Sequence, residues 1–272
     1  MEKRLLFPGC LVFARFQDYE LSARVVLARL GIELVDMHGF ACCASSVVPP
    51  FSDDWINLPA YNLALAESRG MDIVTLCGSC TRTLRLARQQ LAADADLLEK
   101  VNRRLAPIGL TCRGSTGVSH IIEVLSGRVD AIAAAARHVP DGPVALSHPC
   151  NIVRPGQTMR FDDPWQPRQM RRIVDATGAA VADYVKEYDC CGATLMMVDE
   201  RWAADAARAK LRSAMEAGAR LMTVACGNCF LALGRLQNRL RREDPGLSLP
   251  VMFLTQLVGL SFGIGRKELG LT

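Results

Sequence analysis

Cysteines occur in this chain as two copies of one spacing. In order they are Cys10, Cys42, Cys43, Cys77 and Cys80, then Cys112 alone, then Cys150, Cys190, Cys191, Cys226 and Cys229. The intervening gaps run 31, 0, 33 and 2 in the first set and 39, 0, 34 and 2 in the second. A chain that repeats a cysteine register must also repeat the scaffold presenting it, so two related domains in tandem are expected, with a period of about 145 residues. The flanks agree. A proline stands near the first cysteine of each set, in Pro8-Gly9-Cys10 and Pro149-Cys150. Each Cys-Gly-Xaa-Cys follows an apolar run, Asp72 to Cys77 and Leu221 to Cys226, and a weaker echo comes later, His120 to Leu125 and Phe253 to Val258.

Composition narrows the function classes. The chain has 272 residues, is 50% hydrophobic and 22% charged, which excludes a disordered or fibrous protein. Lys and Arg number 32 against 28 Asp and Glu, and a net charge of +4 gives no footprint for nucleic acid. The longest apolar run, Val251 to Gly263, is broken by Thr255 and Gln256 and falls short of the roughly 20 residues of a membrane span, so a soluble chain is expected. Met1 to Pro8 is too short and too charged for a secretory signal, which places the chain in a reducing cytoplasm. Structural disulfides are rare there, so 11 cysteines argue for metal binding or thiol redox chemistry.

Buried strands are expected at Arg4 to Phe7, Ile32 to Met37, Asp72 to Leu76, Val144 to Ser147, Ala180 to Val185 and Leu221 to Ala225. Helical periodicity covers Arg15 to Leu30, Leu58 to Arg69, Thr81 to Ala92, Trp165 to Ala176, Asp199 to Ala217 and Phe230 to Arg242. Strand and helix alternate, which gives an α/β fold with a small, mostly parallel sheet and helices in each half. Gly31, Gly70, Gly178 and Gly218 sit where helices should stop. The linker falls in Ala136 to Gly142, giving domains 1–139 and 140–272.

In such a topology the cysteines lie at strand ends and in the loops that follow, where open α/β sheets place their sites. Five thiols from three loops can therefore converge in each domain. Zinc and an ordinary cubane cluster each take four ligands, so five is one too many for either. Adjacent residues of an extended chain point to opposite faces, so Cys42-Cys43 and Cys190-Cys191 reach one centre only where the backbone turns sharply. Gly192 can supply a positive φ after the second pair. Ala44 stands in that place in the first, so its turn should be different or slightly strained. Cys77-Gly-Ser-Cys80 and Cys226-Gly-Asn-Cys229 lead into helices whose free N–H groups and positive ends favour an anionic centre. The small residues between those cysteines would let backbone approach inorganic sulfide.

This pattern resembles the tandem cysteine-rich, or CCG, domain of the heterodisulfide reductase B subunit. The resemblance runs from Pro8-Gly9-Cys10 nearly to the C-terminus. It implies a noncubane [4Fe-4S] cluster in each domain, one held by Cys10, Cys42, Cys43, Cys77 and Cys80, the other by Cys150, Cys190, Cys191, Cys226 and Cys229. It implies too that these ten cysteines are the catalytic apparatus, with a disulfide bound between the clusters and one sulfur passing to an iron of each. Cys42-Cys43-Ala44-Ser45 departs from the family, which usually has glycine after the pair. The same domain occurs in iron-sulfur subunits linked to lactate, glycerol 3-phosphate and succinate oxidation. The ferredoxin motif Cys-x-x-Cys-x-x-Cys-x-x-x-Cys-Pro that several of those carry is absent here, so electrons should pass through partners, for which the family implies an iron-sulfur C subunit and a flavoprotein A subunit. The Arg- and Ala-rich character suggests a bacterial member, acting on a thiol, disulfide or persulfide.

Two other function classes stand beside this one: a non-catalytic electron relay to a quinone-linked partner, which an exposed Val251 to Gly263 would favour, and a zinc-stabilised scaffold. A thioredoxin-like reading of the Cys-x-x-Cys motifs leaves six patterned cysteines idle. Cys112 reads as a buried structural thiol. His148 could donate to a substrate thiolate or cluster sulfur, and a packing role is as good an explanation for it, for His38 and for His120. Arg154 and Arg160 could bind an anionic substrate tail or be solvated loop residues. Met196-Met197 and Met252-Phe253 read as pocket or core lining, with core the default.

Overall fold

Short apolar strands need cover on both faces, and each half supplies it by following its strands with helices. The computed structural model describes residues 1–45 and 53–271. The first half runs β1 (Glu2–Phe7), α1 (Cys10–Arg15), α2 (Gln17–Arg29), β2 (Ile32–Val35), α3 (Asn57–Ser68), β3 (Ile73–Thr75), α4 (Gly78–Ala93), α5 (Ala95–Leu105), β4 (Val118–His120), α6 (Ile121–Ser126) and α7 (Val129–Ala135). The second runs β5 (Val144–Ser147), α8 (Gly156–Met159), α9 (Gln169–Ala176), α10 (Glu200–Glu216), β6 (Leu221–Val224), α11 (Gly227–Phe230), α12 (Gln237–Glu243), β7 (Val251–Phe253) and α13 (Leu254–Ser261).

Both sheets are parallel, with strand orders β2-β1-β3-β4 and β5-β6-β7. Every residue of β3, β5 and β6 is buried, as parallel strands covered on both faces should be. β5, β6 and β7 answer to β1, β3 and β4. In the second half the counterpart of β2 shrinks to a single bridge between Val144 and Val181. The strand expected at Ala180 to Val185 therefore does not form: Ala182 N–H donates to Val144, after which the chain leaves the sheet and Val185 stands 95% exposed. β4 and β7 were not expected. Each ends on the residue that caps the next helix, so the echo at His120 to Leu125 and Phe253 to Val258 is a strand end followed by a helix. The expected helix at Arg15 to Leu30 is broken at Phe16, and that at Trp165 to Ala176 begins only at Gln169. The segment Phe230 to Arg242 passes through a π-helical stretch, Leu231–Arg235, before α12. Gly31, Gly70, Gly178 and Gly218 end their helices at φ of 80°, 62°, 79° and 81°.

Each half's last helix packs on the other half. α13 lies on α2, and α6 with α7 lies on α9. Phe16 and Tyr19 of the first half meet Phe230 and Phe253 of the second: Tyr19 stacks on Phe253 at 3.9 Å between ring centres and Phe16 meets Phe230 edge-on at 5.1 Å. Each buried ring of that kind is worth about 1.5–3 kcal/mol of transfer free energy. Buried Ser22 and Thr255 share a hydrogen bond of 2.7 Å across the same seam, and Gln256 donates to Asp18 at 3.2 Å. The run Val251 to Gly263 is thus spent inside the molecule, since β7 and α13 contribute Phe253, Leu254, Leu257 and Val258 to the core, and it offers no exposed docking stripe.

Candidate functional site: a row of ten cysteines

The ten patterned cysteines form one continuous row. Cys42 interacts with Cys10 and Cys43, Cys43 with Cys80, and Cys80 with Cys77. Cys77 meets Cys226, and from there the order reverses through Cys229, Cys191, Cys190 and Cys150. The order is palindromic about the Cys77–Cys226 contact, as a two-fold relation between the halves requires. The row begins at exposed Cys10, passes through the buried pair Cys77 and Cys226, and returns to the surface at Cys190. Cys112 lies apart from it. It is buried, its backbone is bracketed by Asn102 at 2.8 and 3.0 Å, and burial pushes its thiol up to about 11.

Local backbone explains how neighbours in sequence serve one row. Ala44 and Gly192 both adopt left-handed conformations, φ 64° and 85°. Ala44 N–H donates to Cys42 Sγ and Gly192 N–H to Cys190 Sγ, each at 3.4 Å. The two turns are therefore the same, and the first is strained because alanine occupies a position suited to glycine. Cys77 and Cys226 are the N-caps of α4 and α11. The Gly78 amide of the first half donates to Cys226 of the second, beside the Cys229 amide. The glycines of the two Cys-Gly-Xaa-Cys motifs face the opposite half rather than the thiols alone. A methyl on Gly78 would touch Pro149, Asn151 and Ile152, and one on Gly227 would touch Leu11 and Phe16 at 3.3 Å. Asn151 and Asn228 of the second half both donate to Ser79 Oγ of the first, at 2.9 and 3.4 Å.

Three thiols along the row, Cys43, Cys226 and Cys190, are held low, and the thiols next to each of them are pushed up. Cys43 and Cys80 Sγ lie 3.2 Å apart, and sharing a proton with Cys80 brings Cys43 down to about 6. Cys226 is held far below the ordinary thiol range by its neighbours Cys229 and Cys77 and by the Gly78 amide, while Cys77 and Cys229 are pushed up. Cys190 is lowered by its contact with Cys150, and Cys150 is raised in turn. Beside this row the buried Tyr19 hydroxyl has no hydrogen-bond partner among the described residues, and the buried His120 ring faces the Ala225 backbone. Burial and then the charges of Cys226, Cys77 and Cys229 drive the Tyr19 hydroxyl up; burial takes His120 down to about 4. Ten cysteine sulfurs gathered in one protein-lined row are the donor set that an iron-sulfur centre needs.

Cavities border the row at its centre and at both ends, the one at the second-half end, about 560 Å³, lying beside Cys190 between Arg154, Trp165 and Asp189. The central one, about 30 Å³, lies where Gly78 and Ser79 of the first half meet Cys150, Cys191, Cys226 and Cys229 of the second. The one at the first-half end, about 540 Å³, opens beside Cys10 and Cys42 and is lined by Phe7, Phe13, Met37, His38 and Phe40.

The remaining candidates take ordinary places. His148 Nε2 is bound to Glu187 at 3.0 Å in a buried pair that Arg171 joins at 3.2 Å. His120 caps α6 through Nδ1, which accepts from Ile122 N–H. Arg154 donates to Pro164 O at 2.7 Å and lies over Trp165; Arg160 donates to Gln157 O. Phe253 lies in the core, and Met196 and Met252 pack against the core. Met197 is 75% exposed, contrary to the core expectation, because it ends a short 3-10 turn on the surface. Asn62, Lys210, Tyr19 and Ser79 were missed. Asn62 and Lys210 could have been found by aligning the halves, since each follows the second cysteine of its pair, Cys43 or Cys191, at the same interval.

Comparison with known proteins agrees with the geometry. A family model described as "Cysteine-rich domain", CCG, matches residues 5–85 and again 144–234. A protein of Archaeoglobus profundus named as like the heterodisulfide reductase B subunit is 32% identical over 98% of this chain and 93% of its own. The B subunit of a ferredoxin/F(420)H(2)-dependent CoB-CoM heterodisulfide reductase of Methanosarcina acetivorans is 31% identical over 100% and 93%. The membrane anchor subunit of an 8-methylmenaquinol:fumarate reductase of Wolinella succinogenes is 29% identical over 97% and 94%. Among described residues of the present chain, no helix is long and apolar enough to cross a membrane. A crystal structure of a hypothetical protein from Helicobacter pylori superimposes with a TM-score of 0.76 at 16% identity, over 99% of this chain and 51% of that one, and shares the fold. With two copies of the domain in tandem and full-length relatives of that name, the chain belongs to the CCG cysteine-rich domain family that includes the heterodisulfide reductase B subunit.

Proposed function

We propose that this chain is the sulfur-handling subunit of a heterodisulfide reductase-like complex, with one noncubane [4Fe-4S] cluster in each five-cysteine set. The palindromic row carries the reading: two fives in mirror order, joined at Cys77 and Cys226. Cys10, Cys42, Cys43, Cys77 and Cys80 hold the first cluster, and Cys150, Cys190, Cys191, Cys226 and Cys229 the second. Four thiolates at about 2.3 Å complete a tetrahedral zinc site and would leave one thiol of each set without a task.

When bound, the clusters supply one-electron transfer and iron positions for sulfur. The chain's own residues do the rest. The Cys229 and Cys77 thiols, and after them the Gly78 and Cys229 amides, keep negative charge on Cys226, and the Ser79, Asn151 and Asn228 bonds hold the two sets together. The cavity at their junction, about 30 Å³, keeps bulk water away from the sulfurs that line it. Cleaving a disulfide consumes two electrons and two protons and releases two thiols, and two single-electron centres match that demand. Those electrons come from an iron-sulfur C subunit and a flavoprotein A subunit in the cytoplasm. The two domains divide at 139/140, in the irregular stretch between α7 and β5.

The test is spectroscopic. Anaerobically purified, reduced protein is titrated with candidate disulfides, persulfides and thiols while its absorption and EPR spectra are followed. A response to a sulfur ligand supports the proposal. A second reading, a relay to a quinone-linked partner, draws on the 540 Å³ apolar cavity beside Cys10 and Cys42 and on the menaquinol-linked Wolinella relative. Intact clusters that no sulfur compound perturbs would favour that relay.

A further inference from the structure

The two halves fasten their cysteine pairs with different side chains. Asn62 on α3 follows Cys43 at the same interval by which Lys210 on α10 follows Cys191. Both are fully buried, and each binds the backbone of the residue just before its pair. Asn62 donates to Ala41 O at 3.1 Å and accepts from Ala41 N–H at 2.8 Å. Lys210 Nζ donates to Lys186 O, Glu187 O and Asp189 O at 2.8, 2.8 and 2.9 Å.

The chemistry of the two fasteners differs by one charge. The Asn62 amide satisfies Ala41 with one N–H and its oxygen and stays neutral. Three carbonyl acceptors require three donated protons, and an amine has three only as ammonium. A neutral Lys210 would leave a lone pair against a buried carbonyl, so the geometry demands the cation. The nearby carboxylates also pair with other side chains, Asp189 with Lys186 at 3.0 Å and Glu187 with His148 and Arg171. Burial works against this ammonium; Cys229 and Cys191, and after them Asp189 and Glu187, favour its charge, and the charge in turn lowers Cys190. In the first set, the strongest influences on Cys43 and Cys80 are other thiols, burial and Ser45.

Building on the cluster reading above, we propose that Lys210 is a positioning residue that makes the two cysteine sets electrically unequal, so that the second-half cluster has the higher reduction potential and takes the first electron. A buried cation favours the added negative charge of the reduced state, and protein charge near a cluster is one of the levers that set its potential. The neutral Asn62 gives the first set no such help. Electrons entering from a partner then collect in the second half before the first fills.

The experiment is a dithionite titration of anaerobic, iron-loaded protein, followed by EPR. Wild type should show two separate one-electron steps. Lys210→Met should shift the higher step downward, toward the other, and leave the lower step in place. Unchanged potentials in a Lys210→Met protein that keeps its iron overturn the proposal. Should that variant lose its iron, the wild-type order decides. Cys190→Ser, at the exposed end of the second set, marks the signal of the second cluster; the proposal holds if the marked signal is the first to appear on reduction and falls if it is the second. Wild-type protein without iron overturns the cluster reading itself and this proposal with it, and is recognised before any titration begins.

Discussion

Ala44 and Gly192 adopt the same left-handed turn, yet exchanging their side chains should have unequal effects. A left-handed backbone costs an L-residue roughly 1–2 kcal/mol, and Ala44 bears that cost at φ 64°. Ala44→Gly removes the strain. It also frees the unfolded chain, at about 0.4–1 kcal/mol, and deletes a methyl that is 3% exposed, worth about 0.8 kcal/mol. The contributions nearly cancel, and the substitution should fall within about 0.5 kcal/mol of neutral. Gly192→Ala acquires the same strain and more, because a methyl there would lie 2.9 Å from Ala203 O and 3.0 Å from Ala206 Cβ on α10. Overpacking of that kind adds roughly 1–3 kcal/mol, so the total is about 2–4 kcal/mol. For a chain of this size that lowers the melting temperature by roughly 5–10 °C. Ala60→Gly, at a fully buried helical alanine, serves as the reference and should cost about 2 kcal/mol. Anaerobic thermal melts followed by far-ultraviolet circular dichroism would measure all three. An Ala44→Gly loss as large as that of Ala60→Gly, or a harmless Gly192→Ala, would refute the shared strained turn.

Further outcomes follow from the row and the seam. Cys191→Ala should alter one cluster spectrum and leave the other largely intact, whereas Cys226→Ala, at the contact with Cys77, should disturb both; equal effects would contradict the palindromic order. Cys112→Ala should keep full iron content. In folded wild type its thiol, pushed up to about 11, should resist iodoacetamide at pH 8, where it remains protonated, and rapid labelling would contradict its buried place. Thr255→Val should cost about 1 kcal/mol in denaturant unfolding by removing its bond to Ser22, with the clusters unchanged.

Much of this fold was written in the spacing. β5 at Val144–Ser147 and the glycine stops at Gly31, Gly70, Gly178 and Gly218 follow from runs and breakers that act locally. β4 and β7 were hidden because three residues are too few to show a period, and because each strand's last residue is also a helix cap. Ala180 to Val185 has the alternation of a strand, yet Val144 offers it only one pairing position at the sheet edge. Which cysteines are patterned was legible. Their order in space was not, because it depends on α6 crossing to α9 and α13 to α2. For the same reason Gly78 and Gly227 read as room for sulfide, while the structure places the other half's loops against them. Nothing local marks Lys210 for burial; only the match of its interval from Cys191 with that of Asn62 from Cys43 does.

Iron, acid-labile sulfide and zinc content of protein purified without oxygen tests the central claim most directly. Two five-cysteine clusters predict about eight irons and eight sulfides per chain. Colourless protein, or two zinc ions per chain with no sulfide, would contradict it.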